Sequence, residues 1–211
     1  MPTADVLSTS SPYLGHGNDP TAFKKAYNPT HPGVLEVRFE DGDFQSRAVA
    51  MKNYKKGETI ADMSAATPSG SVRYSTVQVT EKDHIELNSD LVFCNHSCDP
   101  SVRFDVSAPA PPNASKPGSS WRIVAERDIR EGEALTFFYP STEWDMSQPF
   151  NCTCDGGSKC LGYVQGAKHL DSSILQKYFL NAHILRLKVA QLRAQKKDTE
   201  AEELERSAIL C

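Results

Sequence analysis

Asn95-His96-Ser97-Cys98-Asp99-Pro100 follows the apolar stretch Leu91-Val92-Phe93-Cys94, and Gly132-Glu133-Ala134-Leu135-Thr136-Phe137-Phe138-Tyr139 comes further along the chain. The first segment reads as an apolar strand running into a polar loop. The second reads as a polar turn, Arg130-Glu131-Gly132-Glu133, opening an apolar strand over 134–139 that stops at Pro140. Between them, 101–106 (SVRFDV) alternates as a strand, a Pro/Ala/Ser loop covers 107–120, and 121–126 (WRIVAE) is the return strand. Upstream, Val34, Val37 and Phe39 give a short strand, and Asp41-Gly42 is a turn signal. Residues 44–51, 58–61, 72–79 and 84–87 read as further short strands. Many short strands with few long helices predict a mainly β fold.

The two ends differ from this pattern. Residues 1–32 are rich in turn formers and read as a flexible N-terminal arm. From 172 to about 207, Gly and Pro are almost absent, while Leu175, Tyr178, Phe179, Leu185, Val189 and Leu192 recur at helical spacing. This predicts a C-terminal helix packed on its own domain. A dimerising coiled coil is the alternative, but the stripe is short and irregular.

The chain has 211 residues, enough for one well-buried domain and a terminal appendage. A formal charge of −4 argues against broad attraction to nucleic acid. No run of apolar residues is long enough to span a membrane, and the N-terminus lacks a charged region followed by an apolar one. The expectation is an intracellular protein, nuclear or cytoplasmic, with reduced thiols. The triplets Asn95-His96-Ser97, Asn113-Ala114-Ser115 and Asn151-Cys152-Thr153 then carry little weight as glycosylation sites.

Cys152, Cys154 and Cys160 lie in FNCTCDGGSKCLG. Two thiolates two residues apart, a Gly-Gly turn and a third thiolate can wrap one small cation. Zinc takes four ligands in a tetrahedron and accepts sulfur readily. The fourth ligand is open at this point: Cys98, Cys94, His96, His169, Cys211 or water. Ordinary loop thiols are the plain alternative, and a strained disulfide between the C-x-C pair is another.

The Asn-His-Ser-Cys segment, the Gly-Glu-to-Tyr segment and the cysteine cluster, in this order, resemble the SET family of lysine methyltransferases with its post-SET zinc loop. The resemblance covers roughly residues 33–165. It implies a β-clip-like SET fold of several small sheets with a pseudoknot, divided into a SET domain over 33–145, a post-SET zinc loop over 146–166 and a C-terminal helical segment over 167–211. It implies zinc held by Cys98, Cys152, Cys154 and Cys160. It implies S-adenosylmethionine held by Asn95, His96, Arg47, Ala48, Tyr139 and Phe150, and Tyr139 as the catalytic hydroxyl. Phe137 falls where the family limits the number of methyl groups in the substrate channel.

The sequence departs from the family in several places. Its Gly-x-Gly strand is here Ser46-Arg47-Ala48, and the acidic residue before the final Tyr is Phe138. The zinc loop has one extra residue between Cys154 and Cys160. The resemblance implies S-adenosylmethionine-dependent methylation of a protein lysine. The alternatives are a SET fold that has become a binding module, or an enzyme working on a small metabolite. The implied partner is a protein with a reactive lysine, or such a metabolite, with no direct nucleic acid and no membrane. The chain is expected as a monomer or a weak dimer through the C-terminal helix.

Overall fold

The computed structural model describes residues 27–40, 45–107 and 120–208. Twelve short strands are assigned among them: β1 (Leu35–Arg38), β2 (Arg47–Ala50), β3 (Thr59–Asp62), β4 (Thr67–Ser69), β5 (Thr76–Gln78), β6 (His84–Glu86), β7 (Asn95–His96), β8 (Val102–Asp105), β9 (Arg122–Ala125), β10 (Thr136–Phe137), β11 (Phe150–Asn151) and β12 (Tyr163–Val164). Three helices follow: α1 (Ser172–Leu175), α2 (Ala182–Ala194) and α3 (Asp198–Ala208). The mainly β fold with a helical end is therefore what the strand-dense, then Gly- and Pro-poor, sequence predicts.

The strands form five small sheets. β1 pairs with β2, β3-β9-β8 and β4-β6-β5 are three-stranded, and β11 pairs with β12, all antiparallel. β7 and β10 pair in parallel, with Thr136 opposite Asn95 and Phe137 opposite His96. Each strand is too short to stand alone, so the sheets are fused by a common core that includes Leu35, Met63, Leu91, Phe104, Ile123 and Leu135. Met63, Leu91, Phe104, Ile123 and Leu135 come from five different segments, each within 1 % of full burial.

Three readings are corrected. Leu91-Val92-Phe93 is not a strand but part of a 3₁₀ turn, Asp90–Phe93. Asp90 is fully buried, and its carboxylate accepts from the Tyr27 hydroxyl and from the Thr30 and His31 N–H groups. Those bonds tie residues 27–31 to the turn and bend the chain where apolar composition alone suggested extension. The expected arm over 1–32 otherwise falls on residues 1–26, outside the described residues, as do Asp41-Gly42, most of the 107–120 loop with Asn113, and Cys211.

The strand read over 134–139 is regular only at Thr136–Phe137, and Tyr139 opens a 3₁₀ turn, Tyr139–Ser141, forced by Pro140. The single helix read from 172 is broken twice. Asn181 is fully buried: its amide donates to Phe104 O (2.8 Å) and Ser141 O (3.0 Å), and its oxygen accepts from Val106 N (2.8 Å) and the Ser107 hydroxyl (3.0 Å). Four bonds to the β body outcompete continued helix. Lys196 then takes a positive φ of 59° between α2 and α3.

The helical end builds a second core. Phe138, Ala167, Leu175, Ile184, Val189, Leu192, Ala201 and Leu204 are buried together, flanked by Trp144, Leu161 and Tyr178. Of the apolar stripe read from the sequence, Leu175, Val189 and Leu192 are buried here, and Tyr178 and Leu185 pack against them. Gly166 marks a close approach within this core. Its φ is +111°, and a Cβ there would lie 2.5 Å from Trp144 O. Among the described residues no helix is long and apolar enough to cross a membrane.

Candidate active site and metal centre

The parallel pair β7–β10 is the hub. Ser97 N–H donates to Phe137 O (3.0 Å) and Ser101 N–H to Thr136 O (3.0 Å), so two distant segments are laced together. Side chains alternate along such strands, and the alternation sorts the site. Phe137 and Tyr139 turn to the first core. Phe138, between them, turns to the second.

Tyr139 sits in an aromatic nest. Its ring lies 4.7 Å from Phe137, 5.3 Å from His96 and 6.0 Å from Phe150, centroid to centroid. Its hydroxyl donates to Cys94 O (3.3 Å), and its N–H donates to His96 Nδ1 (3.2 Å). Burial pushes the phenol well above its ordinary range, so the hydroxyl keeps its proton. Burial also pushes His96 down to about 4, leaving a neutral ring whose Nδ1 is an acceptor. His96 and Phe150 meet edge to face at 5.6 Å.

Asn95 donates its side-chain N–H to Ser46 O (3.0 Å), which draws the strip ahead of β2 against β7. Arg47 and Ala48 do not join the nest through their side chains. Arg47 pairs with Glu40 (2.7 Å), and Ala48 is fully buried in the first core. The Cβ that replaces a family glycine at Ala48 is therefore absorbed by packing. Phe137 is 6 % exposed and stacks on Phe104 at 3.9 Å with rings 10° apart.

The four predicted thiols converge. The sulfurs of Cys98, Cys152, Cys154 and Cys160 all lie within 4.8 Å of one another, and Cys98 Sγ is 3.9 Å from Cys152 Sγ. A tetrahedral zinc with bonds of about 2.3 Å sets sulfurs about 3.8 Å apart, so the donor set and its spacing fit that ion. Backbone N–H groups point at the sulfurs: Cys98 N at Cys154 (3.4 Å), Cys154 N at Cys152 (3.5 Å) and Leu161 N at Cys98 (3.4 Å). For Cys154, burial alone would raise the thiol. The Cys98 and Gly156 N–H groups and the neighbouring thiols outweigh it and hold the group at about 7, close to a thiolate at neutral pH. Gly156 lines the cradle; a Cβ there would stand 3.2 Å from Cys154 Sγ.

The other candidates for the fourth ligand are elsewhere. Cys94 is buried beneath Tyr139, where burial pushes its thiol up. His169 pairs with Asp145 (2.8 Å). His96 Nε2 lies 3.3 Å from Cys98 Sγ, beside the cluster rather than in it.

Two residues escaped the sequence reading. Phe138 stacks on Tyr178 at 3.7 Å with planes 6° apart, and the Tyr178 hydroxyl donates to Cys98 O (2.8 Å). The helical end thus reaches the cysteine loop through one ring pair and one hydrogen bond. The signal was present in the sequence: an aromatic at 138 where the family is acidic, and an aromatic in the C-terminal stripe. Behind the cysteine loop a cleft of about 720 Å³ opens between Asp99, Arg103, Arg127, Lys159, Lys177 and Phe179. Asn95, His96, Tyr139 and Phe150 do not line it.

The SET domain family model matches residues 8–140. A protein of Aspergillus flavus described as "Methyltransferase flvH" is 39% identical over 156 residues, covering 74% of this chain and 82% of that protein. The solved methyltransferase domain of human histone-lysine N-methyltransferase SETMAR is similar at a TM-score of 0.45 and 14% identity, covering 63% of this chain and 58% of that one. With the family model spanning well over half of its length and a relative of that identity matched across most of both sequences, the chain belongs to the SET-domain family.

Proposed function

We propose that this SET-family methyltransferase moves a methyl group from S-adenosylmethionine to a primary amine, with a lysine side chain of a protein as acceptor, and that zinc bound by Cys98, Cys152, Cys154 and Cys160 holds the site together. The observation that carries this reading is the convergence at β7–β10: a neutral tyrosine hydroxyl, the Asn95-His96 strip and a four-thiol cluster all meet around two residue pairs.

Asn95, His96, Phe150 and the backbone near Arg47 and Ala48 would hold S-adenosylmethionine, which supplies a methyl carbon activated by its sulfonium. The flat faces of His96 and Phe150 suit an adenine or a sulfonium cation. Tyr139, with its proton retained, offers a neutral hydroxyl to the amine, and the carbonyl of Cys94 fixes its direction. Methyl transfer to an amine chiefly needs alignment. The apolar wall of Phe137 and Phe104 favours the uncharged amine, because desolvation disfavours ammonium. A SET body over 33–145, a zinc loop over 146–166 and a helical segment over 167–211 are the divisions that go with this reading.

The test uses the full chain with methyl-labelled S-adenosylmethionine and a cell extract split into protein and low-molecular-weight fractions. Label on lysine in the protein fraction is the expected result, with Tyr139→Phe lowering the rate about a hundredfold while the unfolding transition stays in place. Label confined to small amines would move the acceptor class to metabolites. No saturable binding of S-adenosylmethionine by calorimetry would remove the methyltransferase reading and leave a SET-fold binding module.

A further inference from the structure

Glu143 lies one turn beyond Tyr139, and its N–H donates to Tyr139 O (3.0 Å). Its side chain turns inward and is only 13% exposed. Oε1 accepts from the Gln78 N–H (2.9 Å) and from the Thr142 hydroxyl (3.4 Å). Oε2 faces Nε2 of His84 at 3.8 Å, beyond hydrogen-bond reach. His84 Nδ1 is buried, and burial outweighs a backbone hydrogen bond at Lys82 and holds that ring toward its neutral form. Gln78, whose side-chain oxygen accepts from Trp144 N (2.9 Å), clamps the same turn to β5.

A carboxylate this buried is costly unless a cation meets it. Burial drives the Glu143 carboxyl up to about 7 in spite of its two donors, so it stays poised between acid and carboxylate at neutral pH. The backbone bond from Glu143 to Tyr139 O ties the carboxylate to the same turn that carries the tyrosine. A staple to β5 alone would need only Oε1. The second oxygen, turned to a ring that carries little charge, has the chemistry of an ammonium receptor.

We propose that Glu143 receives the ammonium group of the substrate amine on Oε2 and takes its proton before transfer. This rests on the methyltransferase reading above. The balance is simple. The N–H bond of the ammonium gives its proton to Oε2. The freed nitrogen lone pair forms the N–C bond as the C–S bond breaks, and that electron pair stays on sulfur. The methylated amine leaves, and Glu143 returns the proton to solvent.

The test titrates the full chain with n-pentylamine, a lysine side-chain mimic, at mildly alkaline pH and with S-adenosylhomocysteine present. Glu143→Gln keeps an oxygen for Gln78 N and Thr142, so the fold should hold, and pentylamine binding should weaken by about tenfold or more. S-adenosylmethionine affinity should be unchanged. A second measurement needs no variant: with carbon-13 in the glutamate carboxyls, the Glu143 signal should move on adding pentylamine. Equal binding by the variant, or a Glu143 signal that pentylamine leaves unmoved, would overturn the proposal. Pentylamine held through Glu143 by a chain that binds no S-adenosylmethionine would sink the methyltransferase reading and leave the ammonium site standing.

Discussion

Phe137 and Phe138 are neighbours in sequence and belong to different interiors. Phe137 stacks on Phe104 among strands that also share backbone ladders. Phe138 stacks on Tyr178 among loops and short helices that share none with the β body beyond scattered turns. The first region gains order from cooperating sheets. The second has a two-residue hairpin, β11–β12, and depends on point attachments: the thiol cluster, the Phe138–Tyr178 stack, the Tyr178 bond to Cys98 O and the buried Asn181. The site lies on the seam, so one wall of it is intrinsically stable and the other is conditional.

On the proposed zinc reading, removing metal should break the comparison most sharply. Structural zinc sites contribute on the order of 10 kcal/mol to the folding of the segment they close. After chelation, or in Cys98→Ser, hydrogen exchange should accelerate across 150–164 and the helices behind it, while β3, β8 and β9 stay protected. Uniform loss of protection would show that the two regions are one cooperative unit. Phe138→Ala comes next, at about 3–5 kcal/mol for an aromatic core truncation. Denaturant unfolding followed by exchange should place that loss in 167–208, and a loss centred on the first core would contradict the division.

Glu143, bridging the seam through Gln78, gives a pH effect of middle size. Burial raises its folded value from an ordinary 4.5 to about 7. Both folded and unfolded chains hold the proton below 4.5, so the site's contribution is complete there and is lost as pH rises through about 7. Urea titrations of the amine-free chain should show Glu143→Gln removing about 2–3 kcal/mol of the stability drop between about pH 5 and about pH 8. A drop that persists in the variant would assign it to other groups. Tyr178→Phe is the smallest change. It removes the bond to Cys98 O and keeps the stack, costing about 1 kcal/mol by thermal unfolding.

The first region was largely legible in the sequence because its short β-branched and aromatic runs, bounded by turn formers, report strands directly. SVRFDV and WRIVAE became β8 and β9 with frayed ends. Leu91-Val92-Phe93 misled because a short apolar run has no period of its own, and the deciding partner, Asp90 with residues 27–31, acts through side chains. The C-terminal stripe foretold helix and burial but not its interruptions. Asn181 stops the helix by bonding to residues some seventy positions upstream, which helical spacing does not encode.

By itself the sequence determined the residue types and their order: thiols able to hold a soft cation, a tyrosine closing an apolar strand, an aromatic where an acid is usual, and the strand-rich family they resemble. These are local facts of composition and periodicity. Only the tertiary structure decided that Cys98 rather than Cys94 or His169 meets the three loop thiols, that Ala48 is swallowed by the core, and that Phe138 and Glu143 face opposite neighbours across the seam. Those outcomes rest on contacts between segments far apart in the chain, whose energies depend on distance and burial that only the folded packing sets.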